Sequence, residues 1–162
     1  MIEDTRLRLL AALGHCVEVL DRVARRIERS GGAGFSSEAV FTEDRQKTAH
    51  AAVVLANSLP GSKIVVFTRR GVMADYVTNQ RPAHAPIFAF APQESTARRL
   101  ALNRGTVSFY LPFETRSDIA IPAAERFLLE HRLVDPGDRL VIVTDAPGAD
   151  APFDAVQLRT VR

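Results

Sequence analysis

The chain has 162 residues, 46% of them hydrophobic and 25% charged, with a formal net charge of +2. That is the composition of one folded domain, or one domain with an arm, large enough to bury a core without staples. The single cysteine, Cys16, excludes an internal disulfide framework and fits a reducing cytoplasm; no apolar run reaches a membrane span, and so small a charge excess gives no ground for a nucleic-acid partner.

The first residues are acidic and lack a signal-peptide pattern. Residues 5–29 read as a helical arm. Leu7, Leu10, Leu13, Val17, Leu20, Val23, Ala24 and Ile27 recur at helical offsets, with a break or kink expected at Gly14. Cys16 is expected to be a core-facing thiol. Residues 30–37, SGGAGFSS, are a glycine-serine linker and the clearest boundary in the chain, so the arm covers 1–29, the linker 30–43 and the main domain 44–162.

Residues 44–58 form a second helix, with Ala51, Val54, Leu55 and Ser58 expected along one inward face. Leu59-Pro60-Gly61-Ser62 ends it. Ile64-Val65-Val66-Phe67 is a short apolar run of the kind that makes a strand buried on both faces. Thr68-Arg69-Arg70-Gly71 breaks the run. Residues 72–80 follow as a helix with Val72, Met73, Tyr76 and Val77 on one face, stopped at Arg81-Pro82 because the residue before proline disfavours α geometry. A strand at 86–90, a helix at 91–103 closed by Gly105, a strand at 107–111 and a helix at 119–133 come next. The last helix turns Ile121, Ala124, Phe127 and Leu128 inward. Asp135-Pro136-Gly137-Asp138 is a turn, 140–143 a strand, 145–154 a loop and 155–161 a last strand. Strands alternating with helices predict a parallel sheet wrapped on both sides, with ligands gathering at the carboxyl ends of the strands.

Little in the chain announces catalysis. GxxxxGK[ST] and GxGxxG are both missing, and His15, His50, His84 and His131 are scattered without metal spacing. Asp145, Asp150 and Asp154 are the acids of a turn, a more common role than cation binding. Residues 69–104 hold Arg69, Arg70, Arg81, Arg98, Arg99 and Arg104 against Asp75 and Glu94. This excess either faces a small anion or solubilises helix surfaces. The strand-glycine-helix unit at 64–80 aims helix amides at its own turn, an arrangement that attracts anions.

Several blocks in series resemble the C-terminal domain of pyruvate kinase. DRQKTAHAAVVLANSLPGSKIVVFT is similar to that domain's first helix and strand, GVMADYVTNQRPAHAPIFAFAP to the next helix, Arg-Pro and strand, STARRLALNRGTVSF to the block after it, and DPGDRLVIVTDAPG to the closing strand. Residues 17–28, VEVLDRVARRIE, resemble the helix that leaves the family's catalytic barrel. The resemblance implies a three-layer α/β sandwich: a five-stranded, mostly parallel sheet with the last strand antiparallel and helices on both faces. It also implies a regulatory role, with a phosphorylated effector or inorganic anion bound at Thr68, Arg69, Arg70, Gly71, Val72 and Met73, and assembly as a homodimer. The family's catalytic residues and its Mg²⁺ and K⁺ sites lie in the barrel. These 162 residues hold no counterpart of it, so no cofactor, no metal site and no turnover are expected of them alone.

At the effector turn the family favours Thr-x-Ser-Gly-Arg-Ser/Thr. Here Thr68 and Gly71 match, while Arg70, Val72 and Met73 replace serine, arginine and the last hydroxyl. Two hydroxyl donors are lost and a guanidinium is gained. The alternatives to a regulatory domain are a small stand-alone α/β enzyme acting on a phosphorylated metabolite and a purely structural dimerisation unit. The missing cluster of acid, base and nucleophile argues against the enzyme.

Overall fold

The computed structural model describes residues 2–29, 40–113, 117–147 and 152–162. The chain divides into two compact units, Met1–Ala39 and Val40–Arg162. The first contributes one helix, α1 (Ile2–Arg29). It runs without a break through Gly14: a helical glycine costs about 1 kcal/mol against alanine, and 28 residues absorb that. Cys16 is exposed rather than core-facing, on a helix whose Leu13, Val17, Leu20, Val23 and Ile27 are all half or more exposed. The predicted linker at 30–37 lies outside the described residues.

The second unit runs α2 (Asp44–Asn57), β1 (Lys63–Phe67), α3 (Val72–Asn79), β2 (Ile87–Ala91), α4 (Glu94–Leu100), β3 (Thr106–Tyr110), α5 (Ser117–Glu130), β4 (Arg139–Pro147) and β5 (Pro152–Thr160). The sheet order is β3-β2-β1-β4-β5. The first four strands are parallel and β5 is antiparallel to β4.

Alternation along β1 sorts the core into two halves. Ile64 and Val66, with Ile87, Ala89, Val141 and Val143, pack under α2, α3 and Leu100 of α4. Val65 and Phe67, with Phe88, Phe90, Leu140 and Ile142, pack under α5 through Ala120, Ile121, Ala124 and Leu128. Helices therefore cover both faces. β1 and β2 read as unbroken apolar runs because both of their sides are covered.

Two expectations change. α2 buries Ala49, Ala52, Val53 and Ala56, while Ala51 and Ser58 are exposed and Val54 is 53% exposed. The buried set is the expected one moved by two residues, which turns the helix by roughly 160° and buries nearly the opposite face. Alanine occupies positions all round α2, so apolar pattern does not fix its rotation. The small residues at 49, 52 and 56 let it approach the sheet and α3 closely. A capping box of Glu43 and Gln46 fixes its start, and Tyr76 Oη of α3 donates to Glu43 Oε2 at 2.7 Å. The second change is at 145–154. The ladder between β4 and β5 continues through Asp145↔Asp154 to Pro147↔Pro152, where a loop was expected. Proline is tolerated there because both prolines stand at the ladder's end.

The turn before β4 is tied from three sides. Asp138 Oδ2 accepts from the Asp135 amide at 2.8 Å and from Lys63 Nζ at 2.6 Å, and the Val161 amide donates to the Asp138 carbonyl at 2.9 Å. The Asp135 amide first, then the Lys63 ammonium, hold the Asp138 carboxyl below the usual carboxylate range. A depressed folded-state pKa contributes stability that is complete above the unfolded value and lost as pH falls through the folded one. Asp138→Asn should therefore cost about 1–3 kcal/mol near neutral pH. The gap to the wild type should close below about pH 4. Urea melts at several pH values test this; a gap that stays constant into acid would rule it out.

Candidate anion site at the end of the first strand

β1 delivers the chain to a turn that is fixed from inside. Thr68 is 1% exposed, and its Oγ1 accepts from the Gly71 amide at 3.0 Å. The Thr68 amide donates to the Phe90 carbonyl at 3.0 Å, anchoring the turn to β2. Gly71 caps α3 with φ 87°, a left-handed conformation that glycine adopts without cost. The amides of Val72, Met73 and Ala74 then open α3 and find no acceptor among the described residues.

The six expected residues sit together but contribute differently. Arg69 and Arg70 are exposed, whereas Met73 is 2% exposed and turns its side chain into the core beside Ala74 and Val77. What Met73 and the half-buried Val72 can offer a ligand is therefore an amide. The Arg69 carbonyl accepts from Thr96 Oγ1 at 3.5 Å.

Sequence reasoning missed the residue that closes the turn. Arg99, on α4, lays its guanidinium over Gly71: Nη2 donates to the Arg70 carbonyl at 3.0 Å, and Nη1 to Asp75 Oδ2 at 3.1 Å. Asn103 Nδ2 holds the same carboxylate at 2.8 Å. A Cβ on Gly71 would collide with Arg99 Nη2. The signal was only partial, because Arg99 belongs to the basic excess of 69–104 but the carbonyl it meets lies 29 positions back in the Arg70 turn, and Asp75 lies 24 positions back on α3. Arg98, its neighbour, instead pairs with Glu94 within α4 at 2.6 Å and faces solvent.

On the neighbouring strand, Thr144 is 4% exposed and its Oγ1 has no hydrogen-bond partner among the described residues. It stands opposite Phe67 in register and, by alternation, on the α5 face, away from the start of α3. Among the described residues, no group of three or more His, Cys, Asp or Glu side chains could hold a metal ion, and no helix is long and apolar enough to cross a membrane.

A sheet of this order, wrapped by helices and carrying a glycine-capped turn where its first strand ends, defines a doubly wound α/β domain. Its family is narrower than that class. Residues 46–152 match the family model for the pyruvate kinase alpha/beta domain. A pyruvate kinase of Agrobacterium vitis is 30% identical over 139 residues, covering 83% of this chain and 29% of that protein. The chloroplastic pyruvate kinase isozyme G of Ricinus communis is 35% identical over 92 residues, 57% of this chain and 22% of its own length. Among solved structures, Cryptosporidium parvum pyruvate kinase in complex with ADP superimposes with a TM-score of 0.70 at 21% identity, over 76% of this chain and 25% of that one. The chain belongs to the pyruvate kinase family, as its C-terminal alpha/beta domain. It spans 22% and 29% of the length of the Ricinus and Agrobacterium relatives.

Proposed function

We propose that the chain is a regulatory and assembly domain that binds a phosphorylated effector or inorganic anion at Thr68–Met73, and that it works in the cytoplasm. The observation that carries this reading is the trio of open amides at Val72, Met73 and Ala74, presented by a left-handed Gly71 and flanked by exposed Arg69 and Arg70. The helix start supplies roughly half a positive charge. Guanidinium groups add charge-assisted donors. Asp75 tempers the field by holding Arg99.

Binding should be weak. A solvated anion with a few amide and guanidinium contacts should reach about millimolar affinity, roughly −4 kcal/mol. Added salt should weaken it, because the turn is at the surface. Titrating the isotope-labelled chain with phosphate by NMR should move the amides of residues 68–73. Arg70→Ala should weaken binding several-fold more than Arg98→Ala, since Arg98 is engaged with Glu94 on another helix. Amides that stay still, or move equally in both variants, would sink the anion reading.

The second reading, self-association with a further copy, is favoured by the exposed apolar stripe of Leu13, Val17, Leu20, Val23 and Ile27 on α1. The same samples test it through translational diffusion. Diffusion at the monomer value at tens of micromolar, where weak homodimers still form, would remove this reading.

A further inference from the structure

Arg99, which closes the Thr68 turn, carries five N–H donors. Nη2 serves the Arg70 carbonyl at 3.0 Å, and Nη1 reaches Asp75 Oδ2 at 3.1 Å and Oδ1 at 3.4 Å. Nε has no acceptor among the described residues. The guanidinium lies against Gly71, and the next residue, Val72, opens α3 with a free amide. Asp75 stands in the first turn of α3, where the helix dipole favours a negative charge. A carboxylate of the chain itself therefore already answers both attractions that would draw an anion to the turn: the start of α3 and the guanidinium that overlies it.

We infer that Asp75 is a built-in competitor for Arg99, and that a phosphoryl group arriving at the turn takes Arg99 away from it. This rests on the anion reading of the turn. The ion pair is open to exchange because its side chains are 49% exposed at Arg99 and 33% at Asp75, and pairs so exposed hold weakly. Asp75 is not stranded when Arg99 leaves, since Asn103 Nδ2 still donates to its Oδ1 at 2.8 Å. The Arg70 carbonyl belongs to an exposed residue, where water replaces the lost donor. A phosphoryl group brings close to two charges and three acceptor oxygens, which a guanidinium fork matches in a two-pronged geometry. A carboxylate ligand brings only what Asp75 already offers. The turn therefore selects phosphoryl groups over carboxylates, and its occupation undoes one of the ties that hold α4 to the turn.

The test is an NMR titration of the full labelled chain with inorganic phosphate and, in a second arm, with acetate, at fixed ionic strength and about pH 8, where phosphate is mostly a dianion. Phosphate should shift the amides of residues 68–73 together with the Asn103 side-chain amide, and acetate should do so about ten-fold more weakly. Asp75→Asn should tighten phosphate about five-fold, and Arg99→Ala should weaken it about as much. With Arg99→Ala already present, Asp75→Asn should change the affinity by less than about two-fold. Asp75→Asn keeps an acceptor for Asn103, neither position is buried, and each spectrum reports whether the variant is folded. Phosphate that binds the wild type and Asp75→Asn equally overturns the competition and leaves the anion site standing. A gain that persists undiminished in the Arg99→Ala background also overturns it, because the loss of a nearby negative charge then suffices. Acetate that binds as tightly as phosphate overturns the selectivity for phosphoryl groups. Amides that stay still in every variant remove the anion reading and this inference together.

Discussion

Phe90→Ala should remove about 3–5 kcal/mol of stability, a third or more of what a domain of this size commonly has. Phe90, the fourth of the five residues of β2, is 0% exposed. Its ring centroid stands 5.6 Å from Phe67, 5.3 Å from Phe109 and 5.8 Å, edge-on, from Phe127. Those partners come from β1, β3 and α5, so one side chain joins three strands to the helix that covers them. Truncation removes the transfer energy of the ring, leaves a cavity that neighbours on rigid strands cannot fill, and loses aromatic pairs that add about 0.5–1.5 kcal/mol each. Phe90→Leu should cost less than half as much, because it keeps most of the volume. Urea unfolding of both variants decides. A loss below about 1.5 kcal/mol for the alanine variant would mean that the cluster is not the centre of this half of the core.

How much of this could be read from the residues depends on how many solutions each pattern allows. Ile64 to Phe67 and Ile87 to Ala91 allow one: an unbroken apolar run of this length, between a turn and a helix, becomes a strand covered on both faces. Serial order of the blocks then suffices for the family and the antiparallel last strand. α2 allows several solutions, since alanine all round its axis leaves rotation to tertiary packing, and the wrong face was expected. Cys16 and the α1 stripe fail for a related reason. An apolar stripe says that a helix has a preferred side, but not that this chain covers it. The hairpin of β4 and β5 was hidden by composition, because proline, glycine and alanine suggest a loop wherever pairing is not considered. At the candidate site, the turn and its glycine were legible because they are local. Arg99 was not, because what places it is the distance between α3 and α4, which β1 and β2 set.

Gly71→Val joins those two levels, and it should cost about 3 kcal/mol and silence the turn together. The backbone part comes from φ 87°, which penalises an L-residue by roughly 1–2 kcal/mol and a β-branched one more. The packing part comes from Arg99. A Cβ at position 71 meets Arg99 Nη2 and lies 3.3 Å from Leu100 Cδ2, and Leu100 is 0% exposed. Arg99 must therefore swing away, giving up the Arg70 carbonyl and Asp75, while Asp75 keeps Asn103. The two parts separate in a double-mutant cycle. In an Arg99→Ala background the clash with the guanidinium is gone, so Gly71→Val should fall to about 2 kcal/mol, the backbone part alone. Across position 71 the order of stability should be Gly, then Asn, then Ala, then Val, because asparagine tolerates the left-handed region and valine resists it most. The same samples report on the amides. With Gly71 forced out of its conformation, Thr68 Oγ1 loses its donor and α3 opens at a different angle, so residues 68–73 should stop responding to phosphate. If Gly71→Val costs under 1 kcal/mol, with that figure set against the backbone penalty alone, the left-handed cap is not what holds the turn. If stability falls but the phosphate shifts persist, the anion is held by Arg69 and Arg70 without help from the start of α3.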